Sequence, residues 1–457
     1  MPSRNAGTVN VECPGGREAA FGWTGTIAFL NKELRELLAS RAFWLLLAII
    51  GPLVGHGFIT AVETYSEASR GALPQGLSPL DGILVPTFGA YDLAVTLLFP
   101  FVVIRLVSSE KSSGAWKLML QSPAGPASMM FAKGIALMIG WIVAWLPGLI
   151  ALLLWKIYGG TLYAPETLNL LLGHLLHAGM AAGVAVAAAA LADSAASAAI
   201  VTLGFTVGTW ALEFVASGRG GFLEKLASYT PTSALRTFEQ GQLRLSTVLV
   251  MLLVALAGFA LAAIWLDLRR TPAERLGRTA VVAIAFAALC AFPARLHATW
   301  DFSENRRNSF PIPDERALRQ IRAPLHVTVY LAPEDPRLLD LNREVLSKLD
   351  RILPGMTVDY AARSRAGLFE GPADRYGEVW YELSGGKVMS RSATEEIVLE
   401  NIYKLAGITP PSHAGEADYP GHPLIAEPAG SALIFHALWP LVVVLAGFVH
   451  FRNRTRT

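Results

Sequence analysis

The sequence predicts a multi-pass α-helical membrane protein, with about eight transmembrane helices and a small α/β extracytoplasmic domain inserted before the last of them. Three observations carry this reading. The 457 residues are 53% hydrophobic and only 16% charged, whereas a soluble globular chain carries about 25% charged residues. Eight stretches approach the roughly 20 apolar residues needed to cross the hydrocarbon core of a bilayer. Charge is also unevenly placed: 35 of the Asp, Glu, Lys and Arg residues fall between Asp301 and Gly430, 20 acids against 15 bases, which marks a separate water-facing unit. The net charge of +2, with basic residues beside apolar segments instead of along a stripe, argues against a nucleic-acid partner. Cys13 lies in a polar tail and Cys290 in an apolar run, so neither a disulfide framework nor a thiolate metal site is expected.

Residues 1–20 lack the apolar core of a cleaved signal peptide and read as a flexible cytoplasmic tail, with the first span as an uncleaved anchor. Residues 21–41 form an interfacial amphipathic helix: Ile27, Leu30, Leu34, Leu37 and Leu38 recur at helical spacing, and Lys32, Glu33, Arg35 and Glu36 fill the other face. Six spans occupy residues 42–270, near 42–61, 83–107, 132–155, 168–192, 195–216 and 246–267. The fourth and fifth are separated by little more than Asp193 and Ser194. One long tilted helix there would run nearly 50 residues and reverse every later loop. A seventh span is expected at 279–299, the charged domain at 300–430, an eighth span at 432–451 and a basic cytoplasmic tail at 452–457.

Lys and Arg counts orient the chain. With the N-terminus inside, the inner segments hold 14 basic residues, among them Lys32, Arg105, Lys111, Lys117, Lys133, Arg269 and Arg452, and the outer ones hold 6. The bias puts both termini in the cytoplasm and residues 300–430 outside. Within that block, His326–Leu331, Thr357–Ala361, Glu378–Leu383 and Lys387–Arg391 have strand composition. Leu338–Leu353 and Thr394–Ala406 are periodic like helices, the second capped by Gly407. The alternation predicts a small α/β domain with a short central sheet.

The surface helix, the span that follows, and an inner loop carrying Glu110, Gly114, Trp116, Leu118, Leu120, Ser122 and Pro123 together resemble the permease subunits of type-2 ABC exporters. The segment 226–245, with Tyr229, Pro231, Phe238 and Gly241, is similar to the outer loop of these permeases between their fifth and sixth spans. The resemblance covers roughly residues 22–270. It departs at Ala115, where the family often has Thr. It implies a coupling helix near 108–125 that docks in a groove of a cytoplasmic ABC ATPase through Glu110, Gly114, Trp116, Leu118, Leu120 and Pro123. It also implies a bacterial inner-membrane location, and a second permease copy or related subunit to complete the pathway. Residues 301–310, 326–331 and 376–408 look like the extracytoplasmic domain of the gliding-motility auxiliary ABC transporter family, although the domain here is short for that family.

No GxxxxGK[ST] phosphate loop occurs in the chain. The chain is therefore read as a transport subunit and not an enzyme, with ATP and Mg handled by a partner and no cofactor or metal bound directly. The stretch LSGGK, Leu383 to Lys387, is one residue from an ABC ATPase signature, but strand-like residues on both sides make it a tight hairpin. In the membrane, Asp92, His174 and His177 are candidate pathway residues. An ionised Asp92 costs on the order of 3 kcal/mol in a span, so it either faces a cavity or hydrogen-bonds another helix. His174 and His177, one turn apart, read as bundle-lining hydrogen bonders, since a third metal ligand is missing. Pro86, Pro100 and Pro147 are expected to kink their spans. A non-transporting scaffold of an envelope or motility assembly would need the same spans and domain. An intramembrane enzyme would need a nucleophile with a base or a metal cluster, and no convincing set occurs.

Overall fold

The structure is a computed structural model that describes residues 23–71, 76–122, 125–216, 227, 229–292, 296, 298–332, 335–353, 355–361, 375–412 and 419–454. The expected tail 1–20 and Pro123 lie outside these residues. Among the described residues, seven helices are long and apolar enough to cross a membrane: Arg41–Ser69, Leu80–Ser113, Pro126–Ile157, Ala164–Leu191, Ala195–Glu213, Leu245–Trp265 and Ser431–Asn453. They are numbered here as the first to seventh spans. The span expected seventh in the sequence, 279–299, differs. A capping box between Thr271 and Glu274 starts that helix earlier, at Pro272, and the helix stops at Ala291. Glu274, Arg275 and Arg278 therefore occupy its first two turns, and residues 299–301 leave the helix altogether to form a strand.

The fourth and fifth spans are two helices, not one. Ala192 turns to an extended backbone and Ser194 Oγ accepts from the Ser197 N–H at 3.1 Å, restarting the helix. Pro100 and Pro147 each sit at the start of a new helical segment, dividing the second span at Leu98 and the third at Trp145, because proline has no N–H for the preceding turn. The Ala-rich fourth span is the centre of the bundle, with most of its surface covered. At its crossing with the sixth span, Gly183 and Gly258 face each other so closely that a Cβ on Gly183 would stand 2.6 Å from the Ala255 carbonyl oxygen. Glycine there lets two backbones touch, the packing that holds helices together where lipid supplies no hydrophobic drive.

The α/β domain contains a four-stranded sheet in the order β4-β3-β5-β6, from Leu325–Val329 (β3), Thr357–Tyr360 (β4), Val379–Leu383 (β5) and Gly386–Ser390 (β6). β3 pairs parallel with β4 and antiparallel with β5. Leu325, Val327 and Val329 alternate inward with Val379, Tyr381 and Leu383, and pack on Leu349, Val398 and Ile402 of the helices. The LSGGK stretch is the β5–β6 hairpin, with Leu383 opposite Gly386 and positive φ at Ser384 and Gly385. Positive φ at both central residues is what a two-residue turn between twisted strands requires.

This domain is fastened to one end of the bundle, opposite the end that holds Gly114. A ribbon joins β1 (Gln242–Arg244), just before the sixth span, to β2 (Thr299–Asp301). Arg307 pairs with Asp81 and donates to the Glu239 and Gln240 carbonyls. The Glu304 N–H donates to Glu166 at 3.0 Å. The returning chain lies along the first span, where Tyr65 donates to the His422 carbonyl and Ser66 and Ser69 bond the backbone of Ala426 and Leu424.

Candidate functional site

The second span ends where Gly114 adopts φ 75°, a left-handed geometry natural to glycine. The chain turns there into a short helix, Ala115–Met119. Trp116 and Leu120, one turn apart, share a face, and that face points into the bundle. Trp116 is 3% exposed and its indole N–H donates to the Leu266 carbonyl at the end of the sixth span, at 2.6 Å. Leu118 is 69% exposed. The three side chains expected to meet a partner thus separate: Leu118 faces outward, while Trp116 and Leu120 pack into the chain itself. Lys111 is also spoken for, donating to the carbonyls of Ala190 and Ala192 at the C-terminal end of the fourth span, at 3.0 and 2.6 Å.

Glu110 is not a surface residue either. It is 4% exposed and sits in a cluster of five charges. Lys133, from the first turns of the third span, is 1% exposed and lies between Glu33 and Glu110, at 3.2 Å from the latter. Lys32 pairs with Glu110, with Glu33 at 3.0 Å and with Glu36 at 3.1 Å. Burial disfavours the Lys32 ammonium, but the Glu110 and Glu33 carboxylates outweigh it and hold its pKa above the ordinary lysine value. Oxygens of Glu33, Glu36 and Glu110 converge within 4.8 Å, yet the two ammonium groups already supply their counter-charge. The surface helix, the second span and the third span are thus joined by ion pairs beside the Gly114 turn. A cleft of about 810 Å³ adjoins it, lined by Ser108, Lys111, Ser112 and Asp193.

Sequence reasoning used Lys32, Glu33 and Lys133 as a polar face and as orientation charges, and missed their pairing. A signal was present: Lys133 is the only charge between Pro126 and Trp155, and Glu110 is the only acid between Tyr91 and Glu166 apart from Asp92. Lone opposite charges near facing ends of neighbouring spans are candidates for a buried pair.

A second polar group lies within the bundle. The structure brings Asp92 and His177 together, Oδ1 to Nε2 at 3.3 Å. His174 is fully enclosed, its ring 5.5 Å from that of Phe88 and 6.4 Å from that of Tyr91. Glu213 pairs with Arg236 at 3.1 Å on the helix Pro231–Glu239. The cavity beside His177 holds only about 10 Å³, room for about one water.

Glu239, at the end of that helix, is pushed up to about 7 by burial, with the Asp92 carboxylate adding to it. The folded chain therefore keeps a proton that the unfolded chain, near 4.5, gives up. This contribution to stability is full below the unfolded value and is lost as pH rises through about 7. Thermal midpoints measured from about pH 5 to about pH 8 should fall across that window. In Glu239→Gln the slope should flatten; an unchanged slope would reject this assignment.

No family model, curated protein or solved structure matches the chain.

Proposed function

We propose that this chain is the membrane-spanning permease subunit of an ATP-binding cassette exporter, driven by a separate cytoplasmic ATPase that binds ATP and Mg. The observation that carries the reading is the construction around Gly114. A short outward-facing turn is tied by buried ion pairs to the surface helix and the third span, and by Trp116 to the sixth. A push on Leu118 and Lys117 would move these elements together, as coupling requires. Trp116 and Leu120 then serve as the seat of the coupling helix, and Leu118 as its contact. The fifth span supports a second subunit: little of it is covered, and Gly204 and Gly208 lie on its open side, a spacing that lets helices approach closely. The pathway would lie between two such subunits in a bacterial inner membrane, with the α/β domain, similar to gliding-motility auxiliary domains, on the far side from the ATPase.

The test is co-purification with the ATPase, whose gene is expected beside this one. Leu118→Glu should weaken the complex about thirtyfold, the loss of one hot-spot contact of about 2 kcal/mol, while leaving the thermal midpoint of the chain unchanged. Undiminished binding by the Leu118 variant would remove the main support for this reading.

A further inference from the structure

A cavity of about 740 Å³ lies between the α/β domain and the bundle, within the range of small-molecule sites. Its walls are of two kinds. Val250 of the sixth span, with Ala287 and Cys290 of the Pro272–Ala291 helix, makes an apolar side. Arg244 at the end of β1, with Asp350 and Arg351 on the domain helix Ser347–Ile352, makes a charged side. Arg351 is engaged, donating to Ser309 at 2.8 Å and to Glu315. Arg244 is not. Its Nε donates to the neutral Gln242 side chain at 2.7 Å, and among the described residues it has no carboxylate within ion-pair distance. A guanidinium stays protonated, and Asp350, the carboxylate on this wall, acts on it only from beyond ion-pair distance, so the cavity holds a half-buried cation that is only partly balanced, an arrangement an anion would relieve.

We propose that this cavity binds a phosphate-bearing amphiphile, a glycerophospholipid of the surrounding bilayer. Its phosphate would lie on the Arg244 fork and its acyl chain between the sixth span and the Pro272–Ala291 helix. The guanidinium presents paired donors at the spacing of phosphate oxygens. Arg244 directly precedes the apolar run Leu245–Trp265, the depth at which headgroups sit. The Pro272–Ala291 helix buries none of its residues against the protein, so the apolar side adjoins a surface left for lipid. Asp350 on the charged side disfavours a doubly negative phosphate monoester and favours a phosphodiester with a cationic headgroup. The proposal needs the membrane reading but not the exporter reading, because its test uses no ATPase.

Cys290 on the cavity wall serves as the reporter. In the full-length Cys13→Ser chain in detergent, alkylation of Cys290 by a maleimide is timed against added short-chain phosphatidylethanolamine. The lipid should slow alkylation roughly tenfold at ten times its dissociation constant, whereas inorganic phosphate or a diacylglycerol of equal chain length should not. Arg244→Gln should abolish the protection and Arg244→Lys should retain part of it. Val250→Trp, which fills the apolar side and leaves the arginine in place, should also abolish it. Absence of protection, equal protection by diacylglycerol, or full protection in Arg244→Gln would overturn the proposal. Protection by inorganic phosphate alone would overturn it too, as a site for a free anion. Should Arg244→Gln fail to fold, the wild-type ligand series and Val250→Trp decide the matter.

Discussion

Replacing Lys133 with Met should destabilise the chain by about 3–5 kcal/mol, the range seen when one partner of a buried ion pair is removed. Glu33 and Glu110 are nearly inaccessible to water, and without Lys133 two carboxylates would face each other with Lys32 left to serve both. The expected result is a large fall in the thermal midpoint of the full chain in detergent, together with earlier proteolysis near the surface helix. A triple variant, Glu33→Gln, Glu110→Gln and Lys133→Met, should recover most of the loss, since removing all the buried charges also removes their desolvation cost. If the single variant melted like the wild type, the cluster would not hold the surface helix to the bundle. The same pair of variants bears on coupling. The triple variant keeps its fold but lacks the ionic link, so stimulated ATPase activity should stay low after stability has returned.

Gly183→Leu should have an effect of similar size for a different reason. Its first added carbon would lie 2.6 Å from the Ala255 carbonyl oxygen, which is backbone and cannot swing aside. The fourth and sixth spans would have to separate along their closest line of contact. The cost is at least the about 1–3 kcal/mol of ordinary overpacking, read as a fall in thermal midpoint. Gly204→Leu is the contrasting case. In the fifth span a Cβ at Gly204 meets nothing within 4 Å, so the monomer should melt normally. If two chains associate through that side, cross-linking between copies should drop in Gly204→Leu alone. Equal melting of the Gly183→Leu and wild-type chains would show that the two helices do not approach as described.

Much of the chain's organisation was legible because its signals are local. Seven of the eight expected spans correspond to helices long and apolar enough to cross a membrane, with differences confined to their ends. Gly407 ends its helix at φ 65°, and Ser384-Gly385 makes the hairpin expected of LSGGK. In each case residues within a few positions of one another decide the outcome. The failures concern distance along the chain. Glu33 and Lys133 are 100 residues apart, and Trp116 meets a carbonyl 150 residues away. Periodicity cannot tell which face of a five-residue helix points inward; the structure turns Trp116 and Leu120 into the bundle and leaves Leu118 outside. Asp92 and His177 were each noted, yet their meeting depends on the rotation of two spans.

The sequence by itself determined that this chain is built for a membrane, where its apolar runs begin and end, and that a charged domain is set among them. These follow from transfer free energies, which are summed residue by residue along a segment and need no knowledge of its neighbours. The tertiary structure alone decided which polar groups are buried and with whom. A charge such as Lys133 is tolerated or ruinous according to whether a carboxylate stands within a few ångströms, and only the packing of one helix against another brings it there.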